Sequence, residues 1–252
     1  NLMVCRGDMH FDVRTKPPHE IPEEPIASHL PKGQGADLLQ QIMDWSAKLF
    51  ADHEINRERR KRGVNPATQV WLWGQGHAPS MPTFAERFGV GSGCMITGVD
   101  LLRGLAVLLG WEVQEVEGMT SFHDTNYAGQ GDATADMLDR YDLVLSHIEA
   151  PDEASHIADW KTKVAAIEHI DRYIVGPVLE KMRGMTDWRI LVMPDHPTNI
   201  GTRKHGYAPP LFAMAGSDIK DASGNTYSER NAAGTGLKFD KGHELMGYFL
   251  RG

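Results

Sequence analysis

Apolar residues recur along this chain in two rhythms, one helical and one mixed. Leu38, Ile42, Trp45 and Leu49 follow one another at four, three and four residues, and Leu39, Met43 and Phe50 widen the stripe. That spacing predicts one amphipathic helix over Ala36 to Arg62, stopped by Gly63 with Pro66 shortly behind. From Cys94 onward, short apolar runs alternate with helical patterns. Cys94–Val99, Trp111–Glu117, Asp142–Ile148, Arg189–Met193 and Leu211–Ala215 read as strands. Asp100–Leu109 (ended by Gly110), Ala133–Arg140, Lys161–Arg183 and His243–Leu250 read as helices. Such alternation predicts an α/β fold, a largely parallel sheet with helices on both faces, whose ligands gather at the carboxyl ends of the strands.

The remaining stretches mark boundaries. Residues 1–13 alternate weakly, as one strand with a turn at Gly7-Asp8. Residues 15–35 carry Pro17, Pro18, Pro22, Pro25 and Pro31, which favours an extended loop. Gln69–Gly74, QVWLWG, is strand-like. The glycine- and proline-bearing stretch 74–93 reads as a hinge, with a domain boundary near Phe88 and hence domains 1–88 and 89–252.

Composition narrows the classes. A hydrophobic fraction of 41% and a charged fraction of 24% over 252 residues are ordinary for a globular protein. A net charge of −8 argues against nucleic-acid binding, RERRKR (57–62) being the one basic run against it. No run approaches the length of a transmembrane helix, and the N-terminus lacks the pattern of a secretory signal, so cytoplasm is the default. Cys5 and Cys94, in apolar strand-like settings, are expected as buried free thiols. The chain opens on Asn1 within an apolar run, Leu2 to Cys5, that resembles the middle of a sheet, and reads as begun part-way.

Candidate chemistry lies at two strand ends. The apolar run Ile190–Met193 stops at Pro194 and delivers Asp195 and His196 onto a loop, with His205 nine residues on. A surface loop that happens to contain histidines is the plain alternative. A second cluster weighs against it: the run Asp142–Ile148 leads into Pro151, Asp152 and His156, and the four-residue spacing puts both side chains on one helix face. Two carboxylates and three imidazoles are too many for one tetrahedral ion. Two divalent ions are inferred, a site suited to phosphoryl transfer. No Ser or Thr sits in a strand-to-helix elbow, so no nucleophile is identified. The basic run suits the negative end of a helix, while Asn56 with Arg57 or Arg59 offers a competing anion-site reading.

Several stretches together carry a resemblance: ITGVDLLRGLAVLLGWEV, TNYAGQ, HIEAPDEASH, KVAAIEHIDRYI, MPDHPTN with His205, and GHELM, with PPHEI, LPKGQGADLL, HEINRERRKRG and WLWGQG in the first third. They resemble the archaeal-type cofactor-independent phosphoglycerate mutases of the alkaline phosphatase superfamily, including the branch labelled proposed homoserine kinase. The resemblance implies a phosphatase-like α/β domain split by an inserted α+β domain. Residues 1–88 would be the latter part of the insertion and 89–252 the C-terminal part of the metal-binding domain. It assigns Asp152, His156 and His205 to one divalent ion (manganese or zinc, or magnesium) and Asp195 and His196 to a second. Asn56, Arg57 and Arg59, with His19, fall at substrate-contacting positions. The family's nucleophilic Ser and a further Asp ligand lie in an N-terminal portion that this sequence does not contain, so a missing segment or second chain is expected to complete the site. The implied reaction interconverts 3-phosphoglycerate and 2-phosphoglycerate through a phosphoserine, in a cleft closed about the hinge. A phosphotransferase or phosphatase of the same superfamily, or an inactive metal-binding protein, stays open. Three positions depart from the family's pattern: Ser155 replaces a usual Gly, the Gly expected soon after His156 is missing from Ile157-Ala158-Asp159, and Gln130 stands where a Lys is usual.

Overall fold

The computed structural model of the chain describes residues 2–7, 11–220 and 224–251. It divides into two compact units, Asn1–Pro79 and Ser80–Gly252.

In the first unit, β1 (Asp12–Arg14) pairs antiparallel with β2 (Lys32–Gln34), with Val13 opposite Gly33. A side chain at Gly33 would run into the carbonyl oxygen of Asp12 at 2.2 Å, so the close pairing requires glycine. Helix α1 (Ala36–Ala51) buries Ala36 and Leu39 against Val13, with Phe11 and Leu72 packed around them. The helix expected to continue to Arg62 breaks. His53 adopts extended backbone and accepts a hydrogen bond from the Ile55 N–H, starting α2 (Glu54–Lys61). Gln69–Gly74 is not a strand, because side chains rather than a neighbouring strand meet its backbone: the Val70 N–H donates to Ser46 Oγ at 2.9 Å. The strand expected over 1–13 is confined to β1, and Asp8 of the expected turn lies outside the described residues. Cys5, outside any strand, is exposed rather than buried.

The second unit opens on α3 (Phe84–Phe88), whose start is fixed by a reciprocal cap between Thr83 and Glu86. Phe84 meets Phe88 at a tilt and Trp111 edge-on, at 4.7 and 4.8 Å between ring centres. That packing puts α3 with the second unit, so the division falls ahead of Phe88. There follow β3 (Gly93–Ile96), α4 (Asp100–Leu109), β4 (Glu112–Val113), α5 (Tyr127–Met137), β5 (Leu143–Ser146) and α6 (Ala150–His156). The three strands form a parallel sheet in the order β4-β3-β5. Strand β3 is buried throughout: Met95 packs with Phe84, Ala106 and Trp111, whereas Cys94 and Ile96 pack with Met137. Alternate residues thus face opposite helical layers, as the α/β pattern requires.

The long helix expected from Lys161 to Arg183 is present as α7 (Trp160–Ile170), a π-turn at Asp171–Val175, and α8 (Gly176–Arg183). Pro177 has no N–H to give the carbonyl of Tyr173, and that carbonyl lies against Gly131 of α5, where a Cβ would approach within 1.9 Å. Strand β6 (Arg189–Val192) leads to a hairpin of β7 (Thr198–Asn199) and β8 (Lys204–His205), then pairs antiparallel with β9 (Ala213–Gly216). Helices α9 (Glu229–Gly234) and α10 (Glu244–Arg251) complete the unit; α9 and the β7–β8 hairpin were not expected. The expected strand Trp111–Glu117 shrinks to two residues, and α5 starts six residues before Ala133, where Asn126 caps the Gly129 N–H. Among the described residues no helix is long and apolar enough to cross a membrane.

Candidate metal centre

The site grows from α6. Pro151 sets its first turn, and Ala150, Ala154 and Ser155 are buried, so Asp152 and His156 share its more open face. Their ligand atoms, Asp152 Oδ2 and His156 Nε2, lie 3.0 Å apart. The β7–β8 hairpin brings in His205, paired across from Thr198. His205 Nε2 sits 3.1 Å from His156 Nε2 and 3.5 Å from Asp152 Oδ1. Four ligands held at zinc-type distances form a tetrahedron with edges of about 3.3 Å. The three separations lie near that edge, with Asp152 turning one carboxylate oxygen to each histidine, so the donor set suits a divalent ion.

The atoms behind the ligands agree with this. His156 Nδ1 lies 2.9 Å from the carbonyl oxygen of Arg203, which places the ring proton on Nδ1 and leaves Nε2 as a lone pair. That lone pair faces a carboxylate oxygen, an arrangement that a bound cation or a second ring proton satisfies. Thr198 is buried, and its hydroxyl donates a short hydrogen bond to Asp152 Oδ1.

His196 joins from the other side. Its ring stacks on His205 at 4.0 Å, and Asp152, His196 and His205 offer ligand atoms within 4.8 Å of one another. Its Nδ1 is 3.3 Å from Thr198 Oγ1 and its Nε2 is 3.2 Å from Asp195 Oδ2. Asp195 is the outermost member: its carboxylate is exposed and takes the His196 backbone N–H at 2.9 Å. The structure therefore gathers Asp152, His156, His205 and His196 closely, with Asp195 at the rim.

Two further side chains escaped the sequence reading. At the carboxyl edge of β5, His147 is held between Thr97 Oγ1 at 3.1 Å and Glu149 Oε2 at 3.2 Å. The signal for them was their place at the end of a predicted strand. Gln130, buried in α5, donates to the His147 carbonyl at 2.8 Å and to Ser146 Oγ at 3.2 Å. Nearby, burial pushes the Glu153 carboxyl up, with the Asp152 charge adding to the effect.

The candidates of the first unit are placed differently. Asn56 is buried: its amide donates to Phe50 O and Ala67 O, both at 2.7 Å, and accepts from Ala67 N–H at 2.9 Å. Arg57 Nη1 donates to Asp52 O and Arg60 Nη2 to Ala51 O, covering carbonyls at the end of α1. Arg59 Nε donates to Asn65 O at 2.7 Å. Both Arg57 and Arg59 remain exposed along much of their length. His19, on a short 3-10 turn, meets the ring of Trp73 edge-on at 5.3 Å.

Comparison with known proteins places these residues in context. A family model described as the Metalloenzyme superfamily matches residues 18–245. A 2,3-bisphosphoglycerate-independent phosphoglycerate mutase of Methanothrix thermoacetophila is 44% identical over the whole chain, which covers 63% of that relative. A second protein of that name, from Methanothermobacter thermautotrophicus, is 41% identical over 98% of the chain and 61% of its own length. The chain thus spans somewhat under two thirds of the relatives it matches. A solved structure from Pyrococcus horikoshii superimposes with a TM-score of 0.71 at 26% identity, over 85% of this chain and 56% of that one.

Proposed function

The chain belongs to the metalloenzyme superfamily, and on that premise we propose that it is part of a two-metal phosphoglycerate mutase, an isomerase of glycolysis. One observation carries the reading: the ligand atoms of Asp152, His156 and His205 converge to 3.0–3.5 Å of one another at a strand-end site. The mutase assignment follows the names of the relatives. Asp152, His156 and His205 would hold one divalent ion, and Asp195 and His196 would hold the second. The mixture of imidazole and carboxylate suits zinc or manganese better than magnesium. Bound there, the ions supply charge neutralisation for the transferring phosphoryl oxygens.

The chain's own residues set the stage. Thr198 and the Arg203 carbonyl fix Asp152 and His156 so that they do not reorganise when the substrate charge arrives. The exposed guanidiniums of Arg57 and Arg59 are suited to a phosphoglycerate carboxylate or phosphate, and His19 lies in the same unit. The nucleophilic Ser and the remaining Asp ligand belong, on this reading, to residues outside the 252 described by this sequence. A phosphotransferase or phosphatase of the same superfamily is the second reading, favoured by Gln130, a neutral side chain engaged with the sheet edge where the resemblance expects a lysine.

The deciding assay supplies 3-phosphoglycerate and manganese to the protein that contains this chain. Formation of 2-phosphoglycerate without free phosphate, lost in Asp152→Ala, is the expected result. Release of phosphate alone moves the assignment to a phosphatase. No turnover of any phosphoryl donor, in protein shown to hold metal, overturns the reading.

A further inference from the structure

Lys163 stands behind the metal centre without touching any of its ligands. It projects from α7, and its Nζ donates to Ser155 Oγ at 2.8 Å and to the carbonyl oxygen of Thr198 at 3.0 Å. Each contact leads to a different half of the centre. Ser155 is buried on α6, the helix that carries Asp152 and His156, and its hydroxyl donates to Pro151 O at 2.7 Å. Its lone pairs are thereby turned toward the ammonium. Thr198 begins the hairpin that carries His205, and its hydroxyl holds Asp152 Oδ1. One ammonium therefore fastens the helix to the hairpin, across 35 residues of sequence on the Thr198 side.

Burial pushes the Lys163 ammonium below its usual range, while the charges of Asp152 and Glu229 act the other way. A lysine only partly exposed to water gains most from fixed acceptors, and here it has two. The ligands' own contacts also join the helix and hairpin, among them the Thr198–Asp152 and His156–Arg203 bonds and the approach of His205 to His156 and Asp152. Lys163 acts one step further back, on the backbone of Thr198 and the side chain of Ser155.

We infer that Lys163 is a positioning residue of the metal centre: it locks α6 to the β7–β8 hairpin and so presets the spacing of Asp152, His156 and His205 for a divalent cation. The inference rests on the reading of those three residues as a metal site. It predicts that removing the ammonium weakens cation binding without removing a ligand, as with other supports placed behind metal ligands.

The test titrates the purified protein that contains this chain with cobalt(II), followed by calorimetry and by the visible absorption of the bound ion. Wild-type protein is expected to bind and to show a tetrahedral-type spectrum. Lys163→Met, which keeps the apolar stem, is expected to raise Kd by roughly tenfold or more and to alter the spectrum. Ser155→Ala cuts only one of the two ties and is expected to raise Kd less, about threefold, and to add nothing further in the Lys163→Met background. If Lys163→Met does not fold, the Ser155→Ala titration carries the test alone. Kd and spectrum unchanged in the folded variants overturn the role of Lys163 and leave the metal site intact. A wild-type chain that takes up no cobalt overturns the metal reading first, and this inference with it.

Discussion

Two halves of the candidate metal centre use the same residue types and differ in what stands behind them. Asp152 and His156 each have a partner on the side away from the ligand atoms: the Thr198 hydroxyl for one, the Arg203 carbonyl for the other. His196 also meets the Thr198 hydroxyl, at 3.3 Å from its Nδ1, but Asp195 is held by His196 itself. The Asp195 carboxylate is 73% exposed and accepts from the very next N–H. Adjacent residues on a loop can satisfy themselves locally, which leaves their aim to the loop. Residues four apart on a helix share a face whatever the loop does, and then gain aim from neighbours brought in by the fold. Metal-ligand residue types at a strand end are therefore only half of a site.

That difference can be broken most sharply at Asp152. Asp152→Ala removes a ligand and the acceptor of Thr198 together; one ligand of a structural zinc site is worth about 3 kcal/mol, roughly a hundredfold in Kd. Calorimetric titration with zinc or cobalt measures it. Thr198→Val keeps the shape of the strand residue and all of the ligands but removes the hydroxyl behind Asp152. Its expected effect is intermediate, about tenfold in Kd, with the thermal midpoint of the metal-free protein little moved. Asp195→Ala should matter least to the first ion, less than about threefold, since Asp195 is exposed and lies at the rim. If Asp195→Ala equals Asp152→Ala in the same titration, the two halves are one site, and the contrast drawn between them is wrong.

How much of this could be read from the sequence follows from the same physics. Helix α4 was legible to the residue, because its apolar period and Gly110 stop are both local signals. Strands β3, β5 and β6 were legible as apolar runs, trimmed at the ends. The break between α1 and α2 was not, since no Gly or Pro between Ala36 and Gly63 marks it and the break consists of one extended residue at His53. Nor was the absence of a strand at Gln69–Gly74, where Leu72 packs beside α1 and the Val70 N–H goes to Ser46 Oγ. The site shows the same limit. Spacing identified Asp152 and His156 as a pair, but nothing local shows that Thr198, Lys163 and the Arg203 carbonyl stand behind them. Asn56 makes the converse point: in sequence, a polar residue beside arginines suggested an anion site, and in the fold its amide is spent on three backbone groups.

The smallest expected effect concerns how the better-backed half ends. Helix α6 stops in a turn where Ala158 N–H donates to Ser155 O at 3.0 Å and Asp159 N–H to Ala154 O at 2.9 Å, the paired bonds of a helix that ends on a left-handed residue. That residue is Ala158, with φ of +60°, two positions after His156. A left-handed alanine costs about 1–2 kcal/mol, which glycine would not incur. Glycine gives back about 0.5–1 kcal/mol through the greater freedom of the unfolded chain. Ala158→Gly is therefore expected to stabilise the protein by about 0.5–1 kcal/mol, a rise of roughly 2 °C in thermal midpoint for a chain of this size. Because the turn's hydrogen bonds and the His156–Arg203 contact are untouched, the Kd for cobalt should stay within about twofold of wild type. A fall in midpoint would mean that the turn does not populate the left-handed conformation. A stabilised protein with much weaker cobalt binding would mean that the strain at Ala158 is itself part of what aims His156, and that the better-backed half depends on its own backbone as well as on Thr198 and Arg203.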